Sequence, residues 1–236
     1  MTAFVTTNQD MSEKRHQMSY EEFRAFLDEH THAEWVAGEV TVFMPPNTIH
    51  QRLTGFLFQI LALYADLYDL GTVMTAPFEM RLRAGMSARE PDVLFVTREH
   101  LDRLTPERLE GPADLVVEVV SDTSVARDRA DKFYEYQEAG VREYWIIDPR
   151  PSKERADFYH LLPDGKYQAA LPATDGRYHA LVLPGFWLNV AWLWQQPLPM
   201  PLLVLAAIAP RTLQDLLADR QSSAHDHLTS EADDER

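Results

Sequence analysis

The stretch that decides the fold is residues 114–148, which read DLVVEVVSDTSVARDRADKFYEYQEAGVREYWIID. Residues 114–120 and 142–148 are short apolar runs of the kind that form buried strands. Residues 121–140 between them begin with Ser and Asp capping residues, carry apolar side chains at helical spacing and end at Gly140. A strand, a helix and a strand in this order predict a right-handed parallel crossover, and therefore an α/β core.

Further strands and helices are predicted on both sides of this unit. A capping box at Ser19 opens a short helix, and apolar residues at three-to-four spacing predict a second helix between Ile49 and Leu70. The other strand candidates are Trp35–Phe43, Thr72–Leu82, Pro91–Val96, Ala156–Leu162 and Lys166–Leu171. The last two are joined by a Pro-Asp-Gly turn, which indicates a C-terminal hairpin added to the edge of the sheet.

The composition is that of an ordinary globular protein. Of the 236 residues, 45% are hydrophobic and 25% are charged, so a sizeable core can form. There is no cysteine, which excludes a disulfide framework, a thiolate metal site and a cysteine nucleophile. With 22 basic and 37 acidic residues the net charge is −15, which argues against sequence-independent binding to polyanions. Any nucleic-acid role must therefore depend on a local site.

The chain is predicted to have three parts. Residues 1–18 form a polar N-terminal tail, residues 19–194 form one domain, and residues 195–236 form a C-terminal extension that ends in a disordered acidic tail. The apolar run Leu202–Ile208 in that extension is expected to pack on the core or on a partner. The N-terminus lacks the apolar segment of a signal peptide, and no run is long enough to span a membrane, so a cytoplasmic location is expected.

Glu118 stands in the middle of a valine-rich strand. Side chains alternate along a strand, so Glu118 shares one face with Val116 and Val120. A carboxylate among valines loses much of its hydration, and a buried charge has to be paired or to bind a metal. Asp92 lies at the start of another predicted strand, where a polar side chain can stand at the end of the sheet. Two acids are therefore expected on neighbouring strands.

Lys132 lies on the predicted helix that follows Glu118. A helix that packs back across the sheet could aim this long side chain at the two carboxylates. Two acids and an amine suit metal-assisted hydrolysis of a phosphodiester, because the carboxylates hold Mg²⁺ or Mn²⁺ and the ammonium stabilises the transition state.

Several segments together resemble the Uma-type family of restriction endonucleases, within the PD-(D/E)XK nuclease superfamily. They are Pro91-Asp92, Asp114–Ser121, Asp128–Lys132, Tyr136 and Gly140–Asp148, preceded by Glu34–Glu39, the Pro45-Pro46 turn with His50, and Ala76–Phe78. The resemblance runs from Ser19 to Trp194 and implies a restriction-endonuclease-like core, with a mixed central sheet flanked by helices. It also implies metal binding at Asp92 and Glu118, catalysis by these acids with Lys132, and a nucleic-acid substrate, DNA rather than RNA.

The position of the lysine departs from the superfamily's usual pattern. In that pattern the lysine lies two residues after the second acid, but this chain has Val120 there. The chain is similar in this respect to branches of the superfamily in which the lysine has moved to the next helix. The resemblance therefore makes Lys132 the amine of the site.

Less specific roles stay open for these residues. Asp92 could simply cap the turn before its strand. Lys132 could pair with Asp128 on an exposed helix face. A purely structural role is harder to give to Glu118, because it would require a buried basic partner for an acid inside a valine strand.

Two further residues are accessory candidates. His50 follows the Pro-Pro turn at the start of the predicted second helix, where it could contact substrate or cap the helix. Glu39 could join the metal site from the first strand, or stand exposed on that strand.

Two other functions stay open on the sequence alone. One is a non-catalytic interaction module that keeps the fold and assembles, for example as a homodimer. Trp187, Trp192 and Trp194 are expected to cover either the core or such an oligomer interface. The other is a metal-dependent hydrolase of a small phosphoester, which would suit the acidic surface better than a nuclease.

Overall fold

The fold comes from a computed structural model that describes residues 13–27, 33–43, 47–83, 87–122, 124–215 and 218. The described strands are, in chain order, β1 (Glu13–Gln17), β2 (Ala33–Val36), β3 (Glu39–Phe43), β4 (Gly71–Thr75), β5 (Glu79–Arg83), β6 (Ser87–Arg89), β7 (Val93–Thr97), β8 (Arg108–Glu110), β9 (Leu115–Val119), β10 (Glu143–Asp148), β11 (Arg155–Leu161), β12 (Tyr167–Ala169), β13 (Arg177–His179) and β14 (Trp187–Asn189). The described α-helices are α1 (Tyr20–Phe26), α2 (Thr48–Leu67), α3 (Lys132–Ala139) and α4 (Pro201–Ile208). A π-helical turn, Arg127–Asp131, leads directly into α3.

Two six-stranded sheets make up most of the protein. The central sheet has the strand order β12-β11-β10-β9-β7-β4, and the N-terminal sheet has the order β1-β3-β2-β6-β5-β8. β9 and β10 run parallel, whereas the other neighbours in the central sheet are antiparallel. The predicted fold class is confirmed: a mixed central sheet flanked by helices, with the β11–β12 hairpin at its edge.

The strand, helix and strand predicted for residues 114–148 are all present. β9 and β10 pair in parallel with Leu115 opposite Glu143, and α3 connects them. Gly140 ends the helix with a φ of 92°, a left-handed conformation that glycine adopts without steric cost.

The two faces of β9 line two different hydrophobic cores. Val117 and Val119 pack with the buried face of α2. Val116 and Val120 pack with side chains of α3 and of the N-terminal sheet. Because side chains alternate, Glu118 belongs to this second face. The Glu118 carboxylate therefore lies where α3 meets the N-terminal sheet.

Two predicted strands are each divided in the structure. Residues 35–43 belong to the hairpin β2–β3, because Ala37 and Gly38 take positive φ values of 47° and 95° and reverse the chain. Residues 72–82 are divided between β4 and β5, which belong to different sheets. Pro77 lies between these strands, and a proline has no amide hydrogen with which to continue a strand ladder.

Residues 13–17, at the end of the predicted N-terminal tail, have a regular structure. They form β1, which pairs antiparallel with β3. Strand pairing at a sheet edge uses backbone hydrogen bonds, so a polar composition does not prevent it. Residues 1–12 of the predicted tail lie outside the described residues.

The C-terminal extension packs against the domain. Its apolar run forms α4, in which Val204 and Leu205 join the core beside α2. Trp192 and Trp194 also pack against this core. The predicted disordered acidic tail, residues 224–236, lies outside the described residues. No helix in the described part of the chain combines the length and the apolar character that crossing a bilayer requires.

Glu143, the first residue of β10, anchors the segment Tyr178–Val182, and its side chain has no exposed surface. Its Oε1 accepts hydrogen bonds from Trp145 Nε1 at 2.8 Å and from the Tyr178 hydroxyl. Its Oε2 accepts the amides of Leu181 and Val182 at 2.8 and 2.9 Å. These donors offset the cost of burying the carboxylate.

Replacing Glu143 with alanine should lower the free energy of unfolding by at least about 3 kcal/mol, because several buried donors lose their acceptor. The matched control is Glu154→Ala, an exposed acid just before β11, which should change it by less than about 0.5 kcal/mol. Urea unfolding measures both variants. Equal stability of the two would show that the Glu143 carboxylate does not anchor the segment.

Candidate active site

Asp92 and Glu118 face each other across β7 and β9. In this antiparallel pair Val93 lies opposite Val117, so the residue before Val93 and the residue after Val117 stand at facing positions. Glu118 is buried, whereas 19% of the Asp92 side chain is exposed. The structure therefore brings together the two acids that the sequence places on neighbouring strands.

Asp92 is held by a strand amide and by a histidine. Its Oδ2 accepts a hydrogen bond from the Val119 amide at 2.7 Å, two residues beyond the last residue of β9 that pairs with β7. His50 Nε2 lies 3.1 Å from the same oxygen. Asp92 thus joins β7, β9 and α2, which is more than the capping of a turn.

His50 lies in the first turn of α2, where the sequence predicts a helix start. The Asn47 side chain caps this helix by accepting the His50 amide at 2.9 Å, so capping is not the task of His50 itself. Burial lowers the pKa of His50, but the hydrogen bond to Asp92 and the charge of Asp92 outweigh burial and raise it. The ring therefore holds Asp92 in place.

A π-helical turn brings Lys132 into the site. The Lys132 amide donates to the carbonyl of Arg127, five residues back instead of the usual four. Asp128, Lys132 and Tyr136, spaced four residues apart, are all buried and lie on one face of the helix. Such π-helical turns occur frequently at functional sites.

The Lys132 ammonium lies among three carboxylates. Its Nζ is 2.9 Å from Glu118 Oε1, 2.9 Å from Glu34 Oε1 and 3.6 Å from Asp128 Oδ1. The Tyr136 hydroxyl donates to Glu118 Oε1 at 2.8 Å. Lys132 at the start of α3 therefore reaches Glu118 on β9. Its pairing with Asp128 lies on a buried face, not on the exposed face that the sequence allowed.

Glu34 completes the cluster and was not among the predicted site residues. It lies on β2 of the N-terminal sheet, where it is buried. One of its oxygens contacts Lys132, and the other accepts a hydrogen bond from Arg89 Nη1 at 2.8 Å. The N-terminal sheet therefore contributes an acid and an arginine to a site whose other acids come from the central sheet and from the π-helical turn before α3.

Glu39 was the acid predicted from this part of the chain. It opens β3 opposite Val36, and the contact to Lys132 comes from Glu34 instead. A usable signal was present in the sequence, because Glu34 lies between Ala33 and Trp35 as an acid within an apolar strand. The same signal identified Glu118.

The buried charges differ in how they titrate. Burial raises the pKa of Glu34, but Lys132 and Arg89 outweigh burial and lower it to about 2. Burial lowers the pKa of Lys132, and the surrounding carboxylates outweigh it and raise that pKa. Burial raises the pKa of Glu118 to about 8, with Lys132 opposing the rise and the neighbouring acids adding to it. Near neutral pH Glu34 is therefore ionised and Lys132 is an ammonium, whereas Glu118 holds its proton more strongly than an ordinary glutamate does.

The two strand acids suit a hard divalent cation. Among the described residues, hydrogen bonds reach one oxygen of each acid, Oδ2 of Asp92 and Oε1 of Glu118. Mg²⁺ is commonly held in proteins by one or two carboxylates, with water and substrate phosphate completing its shell. Within the described part of the chain no three acid or histidine side chains come together to hold an ion alone, and a two-carboxylate site does not need them.

The metal-free protein should lose stability as the pH rises from about 4.5 to about 8, because the folded state keeps a proton on Glu118 that the unfolded chain has released. Glu118→Gln cannot titrate, so its stability relative to the wild type should grow by roughly 2 to 4 kcal/mol across this window. Urea unfolding in the presence of a chelator, at several pH values, measures the effect. Parallel pH profiles for the two proteins would contradict it.

Comparisons with known proteins identify the family. The model of the Uma2 family, described as "Putative restriction endonuclease", matches residues 20–191. The crystal structure of "a putative nuclease belonging to DUF820" from Anabaena variabilis has a similar fold, with a TM-score of 0.61 at 13% sequence identity. That similarity covers 75% of this chain and 97% of the other. No curated protein matches the sequence. Because the family model spans most of the chain, the protein belongs to the Uma2 family, which is of restriction-endonuclease type.

Proposed function

We propose that the protein is a divalent-metal-dependent endonuclease that hydrolyses phosphodiester bonds of nucleic acids, DNA rather than RNA. The observation that carries the proposal is the Lys132 ammonium 2.9 Å from Glu118, with Asp92 at the facing strand position. Two carboxylates and an ammonium at one end of a sheet are the groups that metal-assisted phosphodiester hydrolysis uses. Membership of a family of restriction-endonuclease type supports DNA as the substrate.

Each residue has a separate task in this proposal. Asp92 and Glu118 would hold Mg²⁺ or Mn²⁺, which when bound neutralises phosphate charge and makes water a stronger nucleophile. The positive charge of Lys132 stabilises the negative charge on a phosphoryl oxygen, to which the ammonium also donates a hydrogen bond. Since the carboxylates raise the pKa of Lys132 against the effect of burial, the amine keeps its proton and does not act as a base. His50 orients Asp92 through the ring contact.

The acidic composition favours a second candidate, a hydrolase of a small phosphoester. A net charge of −15 works against binding a long polyanion, and a small ester meets less of this repulsion. A bound divalent cation offsets some of the negative charge at the site for either substrate. The homodimer and the cytoplasmic location stay predictions from the sequence.

The purified protein should nick supercoiled plasmid DNA in Mg²⁺ or Mn²⁺ but not in EDTA. Asp92→Asn, Glu118→Gln and Lys132→Ala should each lower the rate at least about 100-fold, because each removes a ligand charge or the stabilising ammonium. The control is Glu138→Gln, an exposed acid on α3 that should leave the rate unchanged. Gel electrophoresis of the nicked product measures each rate.

Parallel assays with RNA and with bis(p-nitrophenyl) phosphate distinguish the candidates. Faster turnover of the small ester than of plasmid would favour the phosphoester hydrolase. Cleavage of RNA alone would overturn the preference for DNA. If none of the three substrates is cleaved with any divalent metal, the nuclease proposal is contradicted and the non-catalytic interaction module is favoured.

A lysine introduced at position 120 provides a second test of the role of Lys132. Val120 lies two residues after Glu118 and packs beside α3, so a lysine there would approach the acids from the strand. Adding Val120→Lys to Lys132→Ala should raise cleavage at least about 10-fold above that of Lys132→Ala alone. The melting temperature of the double variant checks that it folds. If Lys132→Ala alone cleaved DNA at the wild-type rate, the proposed role of Lys132 would be contradicted.

A further inference from the structure

Glu34 has a cation on each of its two oxygens. Its Oε1 lies 2.9 Å from Lys132 Nζ, and its Oε2 accepts a hydrogen bond from Arg89 Nη1 at 2.8 Å. The side chains of all three residues are almost fully buried, so water screens these ion pairs very little. A carboxylate shared in this way is fixed in position, because moving it would leave a buried cation without its partner.

Arg89 is fixed in turn by the helix that carries Lys132. Its Nε and Nη2 both lie 2.8 Å from Oε2 of Glu135, a residue one turn after Lys132 on α3. A planar guanidinium held by carboxylates on two sides has little freedom to move. Ion pairs thus run from Lys132 through Glu34 and Arg89 to Glu135. Because Lys132 and Glu135 both lie on α3, the helix closes a ring that connects β2, β6 and α3.

The ring changes how Lys132 can interact with Glu118. If Glu118 were the only acid at 2.9 Å, the ammonium would form a full ion pair with it and neutralise the charge that a metal ion requires. Glu34 lies at the same distance from the ammonium and shares it. Glu118 therefore stays available to a cation while Lys132 stays beside it.

We propose that Glu34, supported by Arg89, is a positioning residue that holds the Lys132 ammonium at the active site independently of Glu118. This inference rests on the proposed nuclease function, because it gives Glu34 a task in that reaction. Glu34 acts through Lys132 and is assigned no contact with substrate or metal.

NMR of the lysine ammonium groups tests the positioning without any substrate. The chain has four lysines, so ¹⁵N-lysine labelling gives a simple spectrum in which Lys132→Ala assigns the signal of Lys132. The wild-type ammonium should exchange its hydrogens slowly, because it is buried and hydrogen-bonded. In Glu34→Gln/Arg89→Gln, which removes one charge of each sign, exchange should be at least about 10-fold faster.

The control and a second variant keep this test decisive. Glu138→Gln, an exposed acid on the same helix, should leave the Lys132 exchange rate unchanged. If the double variant does not fold, Glu34→Asp replaces it, since this change keeps the charge but shortens the reach to Lys132. An exchange rate equal to that of the wild type in the folded Glu34 variant would overturn the proposal.

Kinetics and metal binding separate positioning from a purely structural role. The double variant should lower kcat for DNA cleavage about 10- to 100-fold. In a Lys132→Ala background the same two changes should leave the Mg²⁺ affinity, measured by calorimetry, at the value that Lys132→Ala alone produces. A further loss of affinity in that background would show that Glu34 and Arg89 support the fold and not Lys132, which would overturn the proposal.

The experiments distinguish a failure of the proposed nuclease function from a failure of the positioning role of Glu34. If the wild type cleaves no nucleic acid, the proposed function fails, and the exchange rate still decides whether Glu34 holds Lys132. If the wild type cleaves DNA and the Glu34 variants keep its full kcat, the nuclease function stands and the positioning role of Glu34 is wrong.

Discussion

A lysine ammonium inside a protein is costly unless carboxylates surround it, and the site depends on meeting this requirement for Lys132. The acids come from three parts of the fold: Glu34 from the N-terminal sheet, Glu118 from the central sheet and Asp128 from the turn before α3. These elements must therefore converge on one point. The same contacts that stabilise the buried charge also join the two sheets through α3. The residues of the proposed active site therefore also hold the fold together.

Two buried acids on adjacent strands, Glu143 and Glu118, have very different surroundings. Glu143 on β10 accepts hydrogen bonds at both of its oxygens from side chains and amides that are fixed in the core. Glu118 on β9 is surrounded by other acids as well as by Lys132, and burial raises its pKa to about 8. Donors satisfy the first carboxylate completely. The second is held with an excess of negative charge nearby, an environment that a divalent cation stabilises.

The central sheet, its hairpin and the proximity of Glu118 to Asp92 and Lys132 could be predicted from the sequence, but their supporting contacts could not. Glu118 was recognisable as an acid in a valine strand, and the strand-helix-strand order placed Lys132 near it. Glu34 was missed in favour of Glu39, because the acid that meets α3 depends on where the β2–β3 hairpin turns. The π-helical turn before Lys132 was missed too, since so short a segment leaves no distinct hydrophobic period. Both features depend on packing between separate elements.

The central claim is that Asp92 and Glu118 hold a divalent ion while Lys132 stays beside it, and diffraction from crystals soaked in Mn²⁺ tests this most directly. We expect an anomalous difference peak within about 2.5 Å of a carboxylate oxygen of each acid, with Lys132 Nζ still in contact with Glu34. Absence of that peak at a Mn²⁺ concentration that supports cleavage, or a peak coordinated by other side chains, would contradict it.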